Sequence, residues 1–138
     1  MTRLAMWLIP LAACLAADPA QEVLDLFTNL AASLSAGNVP VFMAAFDPAM
    51  PGYAKLRDNV TALVNSSTVE SFVDVVRDEG DAQRRTVELS WRVRIKRAGD
   101  ATASAPREQT IRCRVEKQGK KWRITSLEPL EFFGGAGL

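Results

Sequence analysis

The sequence predicts an α+β fold in which three N-terminal helices pack on an antiparallel four-stranded sheet. Two patterns of apolar residues support this prediction. From Val23 to Val64 the apolar residues recur every three to four positions, the period of helices with one buried face. From Thr68 to Ile124 they alternate with polar residues, the period of strands with one buried face. About 120 residues follow the N-terminal segment, which is enough for one domain with one core.

The first helix is predicted to begin after Asp18 and to end at Gly37. Asp18 can cap the helix, and Pro19 follows at the first helical position, where its missing N–H costs no hydrogen bond. Gly37 can end the helix in the left-handed conformation. The predicted buried stripe consists of Val23, Leu26, Phe27, Leu30 and Leu34.

Two further helices are predicted before the sheet. Asn38 can cap a short second helix, and a third helix is expected from about Tyr53 to Val64. Between them, Asp47-Pro48 repeats the pattern of a cap followed by proline, and Pro51-Gly52 indicates a turn. The apolar residues assigned to the second helix are Val41, Phe42, Ala45 and Phe46.

Four strands are predicted at about 68–77, 87–96, 111–116 and 122–125, with a hairpin turn at Gln118-Gly119 joining the last two. In the first strand both alternating sets contain apolar residues, so the sequence leaves open whether Asp74 faces inward. The other strands alternate clearly and place no carboxylate inward. Their predicted inward residues are Val87, Leu89, Trp91, Val93, Ile95, Ile111, Cys113, Val115, Trp122 and Ile124.

Residues 1–17 have the layout of an export signal peptide. Arg3 precedes an apolar stretch of about fourteen residues, which is shorter than the roughly 20 that span a membrane as a helix, and small residues follow. The segment Leu11-Ala12-Ala13-Cys14 resembles the lipobox of bacterial lipoproteins, in which the cysteine carries the lipid. Ordinary cleavage after Ala16 or Ala17 is the alternative. We therefore expect a periplasmic or extracellular protein, anchored to the membrane if Cys14 is acylated.

After this signal, we expect one domain over residues 18–133 and a flexible tail over 134–138. The composition excludes several kinds of function. The chain has no histidine, which excludes Ser-His-Asp and Cys-His catalysis and histidine-ligated metals. No acidic cluster has the spacing of a calcium loop, so neither a metal nor a cofactor is expected. The formal charge is +1, which argues against nucleic-acid binding. Cys113 is expected to be a buried packing residue.

The order of elements resembles the nuclear-transport-factor-2-like superfamily, also called SnoaL-like. The resemblance rests on the helical stripe, on Ser35-Ala36-Gly37-Asn38, on the segment from Phe42 to Pro48, and on the third helix with its long following strands. It implies a conical fold in which a curved antiparallel sheet wraps around the helices and leaves a cavity at its open end. A cystatin-like roll, one long helix on a four-stranded sheet, is the alternative fold.

The resemblance also implies where function would reside. A non-catalytic domain would bind a small apolar ligand or a protein partner in the cell envelope. The alternative is a small cofactor-free isomerase or dehydratase, which needs an inward carboxylate base and a donor. Asp74 and Tyr53 are the candidates for these roles, unless they are a solvated strand residue and a helix anchor. The candidate ligand pocket, which plain core packing would equally explain, consists of Phe42, Phe46, Tyr53, Trp91 and Trp122.

The outer face of the sheet carries many basic residues. Cross-strand pairing with Glu88, Glu116 and Glu70 would make this a solvated face. The alternative is an interface through which two copies form a homodimer. The basic residues concerned are Arg92, Arg94, Lys96, Arg112, Arg114 and Arg123.

Overall fold

The computed structural model describes residues 18–97, Gly99 and 106–134. Within this part of the chain, three α-helices precede a four-stranded antiparallel sheet with strand order β1-β2-β3-β4, which confirms the predicted fold class. The helices are α1 (Pro19–Ser35), α2 (Val39–Ala44) and α3 (Tyr53–Ser66). The strands are β1 (Ser67–Gly80), β2 (Arg84–Arg97), β3 (Arg107–Gln118) and β4 (Lys121–Glu128), followed by a 3₁₀ helix at Leu130–Phe133.

The predicted caps begin the first two helices. The Asp18 carboxylate accepts a hydrogen bond from the Ala20 amide at 3.2 Å, and the Asn38 side chain accepts one from the Val41 amide at 3.2 Å. Asp47 accepts a comparable hydrogen bond from the Ala49 amide at 2.8 Å, but a turn and not a helix follows it. The capping role predicted for Asp18 and Asn38 is thus confirmed, whereas Asp47-Pro48 forms only a turn.

The register of the sheet decides which face of β1 is buried. Val69 and Ser71 are buried, and Glu70, Phe72 and Asp74 point to the exposed face. The alternation shifts by one residue later in the strand, where Val75 pairs with Leu89 and Arg77 with Glu88, so Val76 is an extra, bulged residue. Asp74 consequently lies on the outside of the sheet.

Both edges of the sheet are tied to the helical layer. At the β1 edge, the Ser71 amide donates to Ser35 Oγ at 2.9 Å. At the β4 edge, the Ile124 amide donates to the Ala45 carbonyl at 2.8 Å, and the Asp47 amide donates to the Ile124 carbonyl at 2.9 Å. These bonds fix the segment after α2 beside β4 and reduce the length of unpaired strand edge.

One continuous apolar core lies between the helices and the inner face of the sheet. The predicted stripe of α1 is buried there except for Leu26, which is half-buried at the surface. Val41, assigned to the apolar side of α2, is instead 54% exposed. Every residue that the alternation placed inward on β2, β3 and β4 is buried.

The outer face of the sheet carries rows of opposite charge. Arg77, Glu88, Arg112 and Glu128 lie side by side across all four strands, in this order. The two oxygens of the Glu88 carboxylate lie 3.6 Å from Arg77 Nε and 3.9 Å from Arg112 Nη2. The predicted cross-strand pairing of charges is therefore present at Glu88, whereas Glu70 and Glu116 form no ion pair with the described residues.

None of the helices in the described ranges is long and apolar enough to cross a membrane. The predicted export signal at 1–17, its Cys14, and tail residues 135–138 lie outside the described residues.

A candidate binding groove beside Trp122

The interior of the domain is filled by an aromatic cluster. Phe42, Phe46 and Trp91, three of the predicted pocket residues, have no exposed surface. The ring centroids of Phe42 lie 5.3 Å from those of Phe46 and 6.5 Å from those of Trp91. Phe133 packs edge-on against Trp91 at 5.1 Å and against Phe42 at 5.8 Å. Edge-to-face packing at these distances is favourable, so the three residues act together as core.

The C-terminal 3₁₀ helix, which was not predicted from the sequence, also contributes to this cluster. Phe132 and Phe133 are 3% and 1% exposed, and Arg107 Nη1 donates to the Phe132 carbonyl at 2.7 Å. Two adjacent aromatic residues between Pro129 and Gly134 were the signal that could have found them. Both rings pack against Trp91, so the C-terminal 3₁₀ helix extends the aromatic cluster.

The two residues considered for catalysis lie on opposite sides of the sheet. Tyr53 begins α3 and is half-buried against the core, on the inner side. Asp74 is exposed on the outer side, opposite Ser90 of β2. The structure therefore does not bring them together. Among residues 18–97, 99 and 106–134, no carboxylate is buried.

One acidic residue does face the inner side of β1. Asp78 follows the bulge at Val76, which reverses the alternation and turns its side chain inward. Its carboxylate accepts from Arg85 Nε at 2.8 Å, and the two side chains are 14% and 12% exposed. Arg85 also donates to the Asp81 carbonyl at 2.9 Å. This pair closes the end of the β1–β2 hairpin. The sequence prediction missed it because the first strand was predicted to end at about residue 77, whereas β1 continues to Gly80.

The remaining predicted pocket residue, Trp122, lies apart from the aromatic cluster and lines an open groove. The groove lies between α1, α2 and the β3–β4 hairpin and has a volume of about 420 Å³. Its floor is mainly apolar, and Val41 stands exposed beside it. The apolar residues that line it are Leu26, Leu30, Val41, Ala44, Ala45 and Trp122.

A hydrogen-bonded cluster holds one wall of the groove in place. Glu22 Oε1 accepts from Trp122 Nε1 at 3.0 Å and from Lys117 Nζ at 3.3 Å. These two bonds, that of Trp122 first, hold the pKa of the Glu22 carboxyl below its usual value. Glu22 is thus a fixed anion that orients the indole ring of Trp122.

The opposite rim is built by the tight turn between β3 and β4. Gly119 and Lys120 form this two-residue turn, and Gly119 has a φ of 66°, the left-handed value that a II′ turn requires at its first position. Gln118 Nε2 donates to Asp47 Oδ2 at 2.8 Å, which anchors the hairpin to the segment after α2. Lys120 and Lys121 line the groove from this turn.

The described residues limit the chemistry that is available at this groove. The sequence contains no histidine. Burial raises the pKa of the Cys113 thiol far above its usual value, so this thiol is not a nucleophile. In the part of the chain that the structure describes, no group of acidic and cysteine side chains could hold a metal ion. The groove instead offers an apolar floor with a few polar groups at its rim, as small-molecule sites do.

Comparison with known proteins identifies the fold. No protein-family model matches the chain, and no curated protein matches it. Among solved structures, a protein of unknown function described as nuclear-transport-factor-2-like, from Shewanella oneidensis, superimposes with a TM-score of 0.60 at 15% identity. The match covers 80% of this chain and 97% of that one. The chain has a nuclear-transport-factor-2-like fold.

Two further structures share this fold. A conserved protein from Planctomyces limnophilus superimposes with a TM-score of 0.71 at 4% identity, over 78% of this chain and 91% of that one. A suggested dehydratase of the nuclear-transport-factor-2-like family from Streptomyces avermitilis superimposes with a TM-score of 0.62 at 10% identity, over 79% and 93%. At these identities the likeness concerns the nuclear-transport-factor-2-like fold alone.

Proposed function

We propose that this protein is a non-catalytic domain that binds a small apolar molecule in the groove beside Trp122. The observation that carries the proposal is the contrast between a filled interior and an open groove with an apolar floor. The groove volume of about 420 Å³ lies within the usual range for small-molecule sites. The ligand would therefore lie at the surface between α1 and the β3–β4 hairpin, outside the aromatic cluster.

The positions of the acidic residues support a function without catalysis. A base of the isomerase type would have to lie inside an apolar cavity, where burial raises its pKa. Asp74 lies on the solvent side of the sheet, and Asp78 is held by Arg85. One structural neighbour is named a dehydratase, but it is 10% identical to this chain. Its name therefore does not support catalysis here.

The proposed location is the cell envelope. It rests on the export-signal pattern of residues 1–17. If Cys14 carries a lipid, few residues separate the anchor from Glu22, which lies in the first turn of α1 at the rim of the groove. The groove would then bind its ligand close to the membrane surface.

A second proposal concerns the outer face of the sheet, through which two copies would pair. The observation that favours it is the exposure of two large apolar side chains on β1, Phe72 at 51% and Val76 at 66%. Two large apolar side chains exposed near each other on one strand could form the apolar part of an interface between copies.

Binding of a neutral fluorescent probe tests the first proposal. We expect N-phenylnaphthylamine to bind the full chain saturably. Val41→Asp places a charge on the apolar floor and should weaken binding about tenfold, without unfolding the protein because Val41 is exposed. Leu24→Asp is the matched control, since Leu24 is 41% exposed on α1 but does not line the groove. Absence of saturable binding, or equal loss in both variants, would reject the groove as the site.

A further inference from the structure

We propose that the ligand of the groove is an apolar molecule with one carboxylate, and that Lys120 and Lys121 hold that carboxylate. This inference rests on the proposed function, because it names the chemical class of the molecule that the same groove binds. It depends on the balance of charge around the rim, on the rigidity of the turn that carries the lysines, and on the position of the apolar floor.

The four charged residues that line the groove cancel formally, but one of the two acids is already paired with a lysine outside the groove. Two acidic residues of α1, Glu22 and Asp25, face two lysines of the hairpin, Lys120 and Lys121. Glu22 is already paired with Lys117 at 3.3 Å. One unpaired acid therefore opposes two lysines. Neither lysine has an acidic side chain within ion-pair distance among the described residues.

Asp25, the acid without an ion pair among the described residues, already accepts one hydrogen bond. Asp25 Oδ1 accepts a hydrogen bond from Gln21 Nε2 at 3.0 Å, one turn earlier on α1. Within the described part of the chain, the rim therefore has two lysines without an ion pair but only one such acid. For this reason an anion should bind at the rim better than a cation. A carboxylate can accept from two ammonium groups at once, and charge-assisted bonds of this kind are stronger than neutral ones.

The two lysines extend from a backbone that is held on both sides. Gly119 and Lys120 form the tight turn, and Gln118 pairs with Lys121 directly below it. Below these, the Lys117 amide donates to the Gln83 carbonyl at 2.8 Å. A fixed backbone leaves only the side chains to be ordered when a ligand binds, which lowers the entropic cost of binding.

The apolar floor begins next to the lysines. Trp122 follows Lys121 in β4, and both residues line the groove together with apolar residues of α1 and α2. A ligand with its carboxylate at the turn would thus extend its apolar part over Trp122 toward Leu26 and Val41. The groove therefore fits a molecule that is charged at one end and apolar along the rest.

Three eight-carbon probes that differ only in their head group test this inference. Octanoate is anionic, octanol is neutral and octylamine is cationic at neutral pH. Binding to the full chain is followed by NMR, through the indole N–H signal of Trp122. We expect octanoate to bind about three- to fivefold more tightly than octanol at low salt, and octylamine to bind most weakly. Since exposed charges are screened, this preference should shrink at high ionic strength.

Two double variants separate a local from a general effect of charge. K120Q/K121Q should remove the preference for octanoate, so that octanoate and octanol bind this variant with similar affinity. K55Q/K96Q is the matched control, because it removes the same charge from exposed lysines of α3 and β2 that do not line the groove. The control should keep the preference.

The possible outcomes distinguish the two proposals. If octanol and octanoate bind equally well, the groove binds apolar molecules and the carboxylate inference is wrong. If octylamine binds most tightly, Asp25 and Glu22 dominate the rim and the inference is also wrong. If no probe shifts the Trp122 signal, the proposed function itself fails. An equal loss of octanoate binding in both double variants would indicate a general charge effect and overturn the role of the two lysines.

Discussion

Trp122 and Glu22 illustrate how one residue can serve both the core and the surface. The Trp122 ring is 6% exposed and forms part of the groove floor, while its Nε1 donates to Glu22. Lys117 Nζ lies 6.0 Å from the centre of the same ring and pairs with Glu22 as well. The carboxylate thus links the N-terminal turn of α1 to the β3–β4 hairpin, and so determines the shape of the groove.

The lowered pKa of Glu22 predicts how stability depends on pH. A carboxyl group whose pKa is lower in the folded than in the unfolded protein stabilises the fold above its unfolded pKa, near 4.5. This stabilisation is lost as the pH falls through the folded value. Glu22→Gln should therefore lower the melting temperature at pH 6, and the difference from wild type should shrink below pH 4.5. Melting curves across this range measure the effect.

The Trp122 indole signal provides an independent check on the same group. Its NMR shift should titrate with a midpoint below 4.5, because Nε1 donates directly to the carboxylate. A midpoint above 4.5, or a melting difference that grows in acid, would contradict the interpretation. The pKa values of Asp47 and Asp81 are also lowered. Both residues are present in the wild type and in Glu22→Gln, so their effects on the pH dependence cancel when the melting temperatures of the two proteins are compared.

At the scale of the element, the features that follow from local periodicity were predicted from the sequence. The change of face that a single inserted residue causes in β1 was not. The caps at Asp18 and Asn38 and the alternation of β2 are local patterns, and the structure has them. The bulge at Val76 reverses the faces of β1, so Asp78 turns inward although simple alternation from Val69 would place it outside. No local pattern indicates which of two partly apolar faces the helices will cover.

The 3₁₀ helix was missed because four residues are too few to show a period. Its contribution to stability is nevertheless expected to be large. Phe133→Ala would leave a cavity beside Trp91 and Phe42 and should lower the free energy of unfolding by about 3–5 kcal/mol.

Phe72→Ala is the control. Phe72 is half exposed, with Arg92 5.2 Å from its ring centre, so its loss should cost about 1 kcal/mol or less.

Urea unfolding measures both values. Similar losses for the two variants would show that the C-terminal rings do not belong to the cooperative core.

For the whole molecule, the sequence predicted a layer of helices on one face of a sheet. It did not predict where a groove would lie. The aromatic residues Phe42, Phe46 and Trp91 lie together in the structure, yet a list of inward residues does not reveal whether such residues surround a cavity or fill it. That outcome depends on the total volume of the side chains, including Phe132 and Phe133. The groove lies outside the core, where the exposure of Val41 on α2 departs from the predicted pattern.

The outer face of the sheet provides the prediction at this scale. Arg77, Glu88, Arg112 and Glu128 alternate in charge across the four strands, so a second copy turned by a two-fold axis could oppose Arg with Glu along the same row. Phe72 and Val76 would be buried in such a contact. We expect sedimentation equilibrium to show a dimer in the full chain.

Phe72→Lys should dissociate this dimer, because it places an unpaired charge within the contact while the exposed site tolerates the change in the monomer. Leu24→Lys is the matched control: it introduces the same side chain at another exposed apolar residue, on α1, away from the sheet. The control should remain dimeric. A monomeric wild-type chain at high concentration would exclude pairing through the sheet. Dissociation by Leu24→Lys alone would move the contact to the helical side, where it would compete with the groove.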